Sequence, residues 1–253
     1  MSKPSTHHYT IQMASQSEQE GGYWLLNVVL DRLDRLNKQG GGKFPPPSPE
    51  IELGDSLQFE NSEHSLYLFQ QTHTEQQITL QLLSRHPLPT PQPKRLNRHI
   101  AASANQAILE TVQHTPNLLL LGSELQQAKL FYLAKYRTHQ PHFQTLALLH
   151  SDSDFPFKPK PSLLMTPHLP PEAIGTSQLL EDWKIPNRLA SPQGLAGCFD
   201  GTLEALFADW LMQKNLTIQT NESWQMIICA PSERQKKCLA ISQSYEWMTT
   251  QAL

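Results

Sequence analysis

The chain has 253 residues, 38% of them hydrophobic and 17% charged, with a formal net charge of −3 at pH 7. That length suits one large domain or two modest ones, and the weakly acidic balance argues against nucleic acid or an anionic membrane as the main partner. No apolar run is long enough for a membrane span, and MSKPSTHHYTIQ has no apolar signal core, so a cytoplasmic protein is expected. Cys198, Cys229 and Cys238 form no C-x-x-C pair, and so sparse a count fits a reducing compartment.

Residues 1–20 are polar and are expected to form a mobile tail, with His7-His8 incidental within it. Tyr23–Leu30 reads as a strand, and the Gly- and Pro-rich stretch to residue 49 as a long surface loop. Within residues 50–59, alternation sets Leu57 and Phe59 on one face, with Gly54-Asp55 as a turn signal. Ser65–Gln70 and Gln77–Leu83 are further strands joined by a polar loop. Four short strands suggest a small antiparallel barrel or sandwich over residues 21–96. His86–Leu96 is proline-rich and reads as an extended connector at the domain boundary.

Residues 97–253 alternate strand and helix, which argues for a parallel sheet covered on both faces. The predicted class is therefore a two-domain α+β chain: an antiparallel β-barrel, then a Rossmann-like α/β domain. Asn105–Gln113 is its first helix. Leu118–Leu121 suits a strand buried on both faces, Gly122 a sharp turn, and Ser123 the cap of a helix carrying Leu125, Ala128 and Tyr132. Strand, tight turn and helix N-terminus together can receive a phosphate, or be an ordinary corner. Phe143–Leu149, Leu163–Met165, Asn187–Ala190 and Gln225–Cys229 read as strands. Ser177–Trp183 and Thr202–Gln213 read as helices, and Ser232 with Gln235 as a capping box opening the last helix. Ligands of such sheets sit at the carboxyl ends of the strands, here Gly122, His150–Ser153, Ala190–Ser191 and Ala230–Ser232.

A small barrel followed by a nucleotide-binding domain resembles the ferredoxin–NADP reductase superfamily. Five stretches are similar, more narrowly, to the electron-transfer subunit of dihydroorotate dehydrogenase: Leu118–Ala134, Asp154–Ser162, Leu179–Ser191, Leu195–Leu206 and Ile227–Pro231. The resemblance implies a hydride passed from NAD(P)H to a flavin, FAD before FMN, and then electrons passed to a protein acceptor or partner subunit. It implies that Gly122 and Ser123 face the pyrophosphate. It also implies that Cys229, Ala230 and Pro231 match the Cys-Gly-Pro turn near the nicotinamide, with Cys229 in the catalytic position.

Departures accompany the match. Glu124, Gln126 and Gln127 fill a turn that is glycine-rich in the family, and Lys129 stands where proline is expected. Ala230 replaces the middle glycine. The barrel's flavin-binding run should contain arginine, yet its nearest counterpart is His64-Ser65-Leu66-Tyr67, leaving Tyr67 as the candidate. Cys238–Met248 resembles the approach to the family's cysteine-rich segment, but three scattered thiols cannot build a family-type iron–sulfur cluster. A degenerate relative acting as a binding or assembly partner is therefore the alternative, and a nucleotide-binding regulator a third.

Other residues have plain readings. His139 and His142 are surface histidines, and no metal site is expected. Asp152, Asp154 and Asp200 read as solvated loop carboxylates or acid–base groups. Cys198 and Cys229 read as small hydrophobes, and Trp183, Trp210, Trp224 and Trp247 as core or interface residues. Phe155 and Phe157 either stack on a cofactor ring or close the core. No residue announces a choice between NADH and NADPH.

Overall fold

A computed structural model describes residues 6–31, 51–53, 55–74, 76–99, 105–138 and 142–253. The loop expected before Pro49, Gly54 of the turn signal and His139 lie outside them. The chain divides into two compact units, Met1–Gln19 with Tyr23–Asn105, and Glu20–Gly22 with Gln106–Leu253.

The first unit contains β1 (Thr6–Glu18), β2 (Trp24–Asp31), β3 (Ser56–Phe59), β4 (Tyr67–His73), β5 (Gln77–Ser84) and β6 (Arg95–His99). They form one antiparallel sheet in the order β3-β6-β1-β2-β5-β4. An isolated bridge between Leu57 and Leu66 draws its two outer strands together, so the sheet is a partly closed barrel. Period-two alternation fills the interior: Leu26, Val28 and Leu30 of β2 and Ile78, Leu80 and Leu82 of β5 are all buried.

Two strands correct the sequence reading. Residues 6–18 are not a tail but β1, paired with β2 on one side and β6 on the other. Its inward residues include only Tyr9 and Ala14, so polar outward residues dominate its composition. His8 is accordingly placed, with Nδ1 2.8 Å from Asn97 Oδ1. The end of the proline-rich connector is β6, which buries Leu96 and Arg98. Arg98 is ion-paired with Asp55 and lies 3.4 Å from the Tyr9 hydroxyl. A buried arginine reads as a surface residue until its partner, far away in sequence, is known.

The second unit contains α1 (Asn105–His114), β7 (Asn117–Ser123), α2 (Gln127–Lys135), β8 (Gln144–His150), β9 (Lys160–Pro161), β10 (Gly175–Thr176) and α3 (Gln178–Asp182). It continues with β11 (Asn187–Ser191), β12 (Phe199–Asp200), α4 (Leu203–Asn215), β13 (Trp224–Cys229), α5 (Ser232–Ser242) and β14 (Met248–Ala252). Six of these strands form a parallel sheet, β12-β11-β8-β7-β13-β14. This is the Rossmann-like arrangement expected. Leu119, Leu121, Met226 and Ile228 meet Leu206, Phe207, Trp210 and Leu211 of α4 and Cys238 of α5. The opposite face of β7 and β13 is covered by α2.

Three local expectations fail for identifiable reasons. Residues 163–165 are loop rather than strand; the short pairing nearby joins β9 to β10. The capping box does not form, because Pro231 is the N-cap and Ser232 already lies in α5. Gln235 instead donates to the carbonyls of Ala230 and Leu253, at 2.8 and 2.7 Å. Finally, α2 starts only at Gln127, after a short 3-10 turn over Glu124–Gln126, so Leu125 precedes the helix.

Candidate functional site

Successive crossovers from β7 run first to β8 on one side and later to β13 on the other. The carboxyl ends of β7 and β13 therefore flank the topological switch point, where open α/β sheets hold ligands. Gly122 pairs in register with Cys229, and Ser123 with His150. Two predicted stretches, Gly122-Ser123 and Cys229-Ala230-Pro231, thus meet at one edge although about a hundred residues separate them.

Each predicted residue has a definite local role there. A Cβ on Gly122 would stand 2.8 Å from Leu130 Cδ1 and 3.3 Å from Gln127 Cα, so glycine permits α2 to pack on β7. Ser123 is buried and does not cap a helix; its Oγ lies 3.1 Å from His150 Nδ1. Glu124 adopts φ 54, a conformation that favours glycine. Its carboxylate accepts a hydrogen bond from the Asp152 N–H at 2.6 Å. Ala230 is buried and Pro231 leads into α5.

A polar network extends from this turn. His150 is fully buried, with Nε2 3.5 Å from Asp152 Oδ1. Arg234 donates to both Asp152 oxygens at 3.2 and 3.1 Å and to Glu204 Oε2 at 2.8 Å. Burial first, and Arg234 second, push the His150 pKa down to about 4, so the imidazole is neutral at pH 7. Two carboxylates, from Asp152 and Glu204, then share one guanidinium, and the Glu124 carboxylate lies beside them on the Asp152 N–H. Ligand-type atoms of Glu124, His150 and Asp152 lie within 4.8 Å of one another, a grouping not anticipated from the sequence. Arg234 bound to Asp152 already brings a positive charge to that group, so it carries no metal assignment. Ser123, His150 and Asp152 do not form a nucleophilic relay either, because Ser123 is wholly buried and His150 Nε2 has no hydrogen-bond partner among the described residues.

Gln127, the first residue of α2, is fully buried, and neither its Nε2 nor its Oε1 has a partner among the described residues. In the sequence Gln127 reads only as an obstruction, and nothing singles out Glu204 or Arg234. The one available signal is position, since His150 lies at a strand end.

The remaining candidates separate. Cys229 is fully buried and its thiol is pushed up to about 12 by burial, so it is protonated and no nucleophile at neutral pH. Burial likewise raises Cys198 to about 11. Phe155 is buried and stacks on Phe157 at 5.3 Å, and Phe157 stands edge-on to Phe131 at 6.0 Å, a core-closing arrangement. In the barrel, Tyr67 opens β4 half-buried, Leu66 is buried, and the His64 ring stacks on His86 at 3.6 Å. His142, Asp154 and Asp200 are exposed.

No protein-family model matches the sequence, and no curated protein matches it. Solved structures do match in three dimensions. The cytochrome P450 reductase GcoB of Amycolatopsis aligns with a TM-score of 0.56 at 12% identity, over 99% of this chain and 71% of that one. The chain has the ferredoxin-reductase-type fold. The ferredoxin-NADP+ reductase of Plasmodium falciparum aligns at 0.53 and 7% identity, over 98% of this chain and 96% of that one. The CS-b5R domains of human Ncb5or, in an NAD+ form, align at 0.56 and 8% identity, over 98% and 70%. The superpositions show the fold alone and, at these identities, leave function to the site.

Proposed function

We propose that this chain is a ferredoxin-reductase-like oxidoreductase that passes electrons between a nicotinamide cofactor and a flavin, on the pattern of dihydroorotate dehydrogenase electron-transfer subunits. The reading is carried by the pairing of Gly122 with Cys229 at the switch point of a ferredoxin-reductase-type fold. A nicotinamide supplies a hydride, and a flavin accepts two electrons and can release them singly to a protein acceptor.

The residues fit the nicotinamide end better than the phosphate end. Gln127 holds a buried, unpartnered carboxamide that could complement a nicotinamide carboxamide only after turning out of the interior. Gly122 lets α2 pack on β7, and Cys229 and Ala230 are small residues buried at the neighbouring strand end. At the phosphate end, Glu124 occupies the turn and Arg234 is engaged by Asp152 and Glu204. In the barrel, Tyr67 is the candidate flavin contact, while Arg98 is turned to Asp55. Neutral His150 adds no positive charge to draw phosphate.

A second reading follows from the Glu124 carboxylate. A protein that keeps this fold but fills its phosphate turn with its own anion can serve as a binding or assembly partner. Visible absorbance of the purified protein, repeated after excess FAD and desalting, separates the two. The redox reading expects a retained flavin band that bleaches anaerobically with NADH or NADPH. Folded protein that retains no flavin after reconstitution overturns it and leaves the partner reading.

A further inference from the structure

A cavity of ≈ 570 Å³ lies at the opposite end of the parallel sheet from the switch point. It is bounded by Gln144 at the start of β8, Pro186 just before β11 and Trp224 at the start of β13. Protein interiors leave few voids larger than a water molecule, whereas small-molecule pockets run from about 300 to about 1,000 Å³. Its wall carries Phe143, Trp183, Trp210 and Trp224, and Trp210 stands edge-on to Trp224 at 5.1 Å. A polar recess of ≈ 370 Å³ shares Gln144, His168 and Lys214 with it.

Three features show a built wall rather than a packing fault. His168 and Lys184, from two different loops, both line the cavity with positive φ, 72 and 62. Lys184 takes it as the residue that closes α3, with its own N–H on the Glu181 carbonyl and the Ile185 N–H on the Leu180 carbonyl, whereas His168 takes it in a turn, where such backbone persists because its surroundings over-determine it. Arg137 fixes the rim: its N–H groups donate to the carbonyls of Val112, Thr115, Pro116 and Gln144 and to Thr145 Oγ1. Lys214 Nζ lies 2.6 Å from Glu222 Oε1 and 5.6 Å from the Trp224 ring centre. An ammonium has three N–H donors, so one spent on Glu222 leaves capacity for an acceptor in the cavity.

We propose that this cavity binds a planar aromatic small molecule carrying an acceptor oxygen, its rings against the tryptophan-lined wall and its oxygen on the Lys214 ammonium. The rings offer stacking and edge contacts that aliphatic ligands cannot use. The proposal does not rest on the redox reading, because the switch point lies at the opposite strand ends.

The test uses the full chain and 8-anilinonaphthalene-1-sulfonate, an aromatic probe with acceptor oxygens. One saturable site is expected, with energy transfer from tryptophan to the probe and no displacement by excess NADPH. Trp183→Ala should weaken binding by about tenfold, the worth of one buried aromatic contact. Lys214→Met with Glu222→Gln, which removes the ammonium without stranding a carboxylate, should weaken it by about fivefold. Near-UV circular dichroism confirms that each variant is folded. Absence of saturable binding, displacement by NADPH, or wild-type affinity in both folded variants overturns the proposal.

Discussion

At the carboxyl edge of the parallel sheet, strands end on Ser123, His150, Ser191 and Cys229, with Ser123 bound to His150 and Ser191 to the Ser153 carbonyl. At the amino edge, the same strands begin beside Phe143, Pro186 and Trp224, and a cavity stays open between them. One edge is charged and occupied by its own side chains; the other is aromatic and spacious. A shared topology therefore does not settle which edge takes a ligand. Backbone connectivity favours the first, and unfilled volume favours the second.

The sharpest way to break the comparison is to dismantle the amino edge. Arg137→Met strands several carbonyls that the guanidinium serves and should cost about 3 kcal/mol, read from the urea midpoint. The carboxyl edge answers to pH instead. Folding holds His150 neutral down to about 4, while the unfolded chain takes up its proton near the ordinary value of 6.5. The unfolded state then binds more protons, so stability falls as pH drops from 6.5 to about 4, by about 3 kcal/mol in total. His150→Gln should flatten that part of the stability profile. A wild-type profile already flat there would place the imidazole in water.

Smaller effects sharpen the contrast. Glu124→Gly with Asp152→Asn relieves the left-handed backbone at Glu124 and removes two carboxylates from the carboxyl edge. Calorimetry should show NADPH affinity raised by about tenfold under the redox reading. No gain would mean that charge is not what limits that edge. Gly122→Ala forces Leu130 aside and should cost about 1 kcal/mol by thermal denaturation. Met165, 90% exposed on a loop at the cavity rim, should tolerate serine within about 0.5 kcal/mol.

Legibility in the sequence followed how each residue buries itself. The four leucines of β7 announce a doubly buried strand, and α4 announces itself by helical spacing and by Thr202, which accepts from Ala205 N at 3.2 Å. β1 and β6 stayed hidden because their inward faces include little beyond Tyr9, Ala14, Leu96 and an arginine. At the carboxyl edge, the meeting of Gly122 with Cys229 was legible through the order of strands and helices. The hydrogen bonds of Ser123, Glu124 and Arg234 were not, since each partner comes from another crossover. The amino-edge cavity was the least legible of all. Its wall gathers residues from well-separated segments, none of which carries a motif.

The double pairing of β1 bears on how the barrel is made. Thr6–Thr10 pair with Arg95–His99, and Ser56–Phe59 pair with that same strand. β1 with β2, and β4 with β5, pair through short spans, but both of these pairings wait for β6. Strands that must find partners across most of a unit close late, because the loop entropy is lost before the contacts form. During synthesis from the N-terminus, the first half of β1 therefore remains an unpaired edge until residue 99 has left the ribosome. β6, the last strand of this unit in chain order, is the one whose pairing completes the sheet.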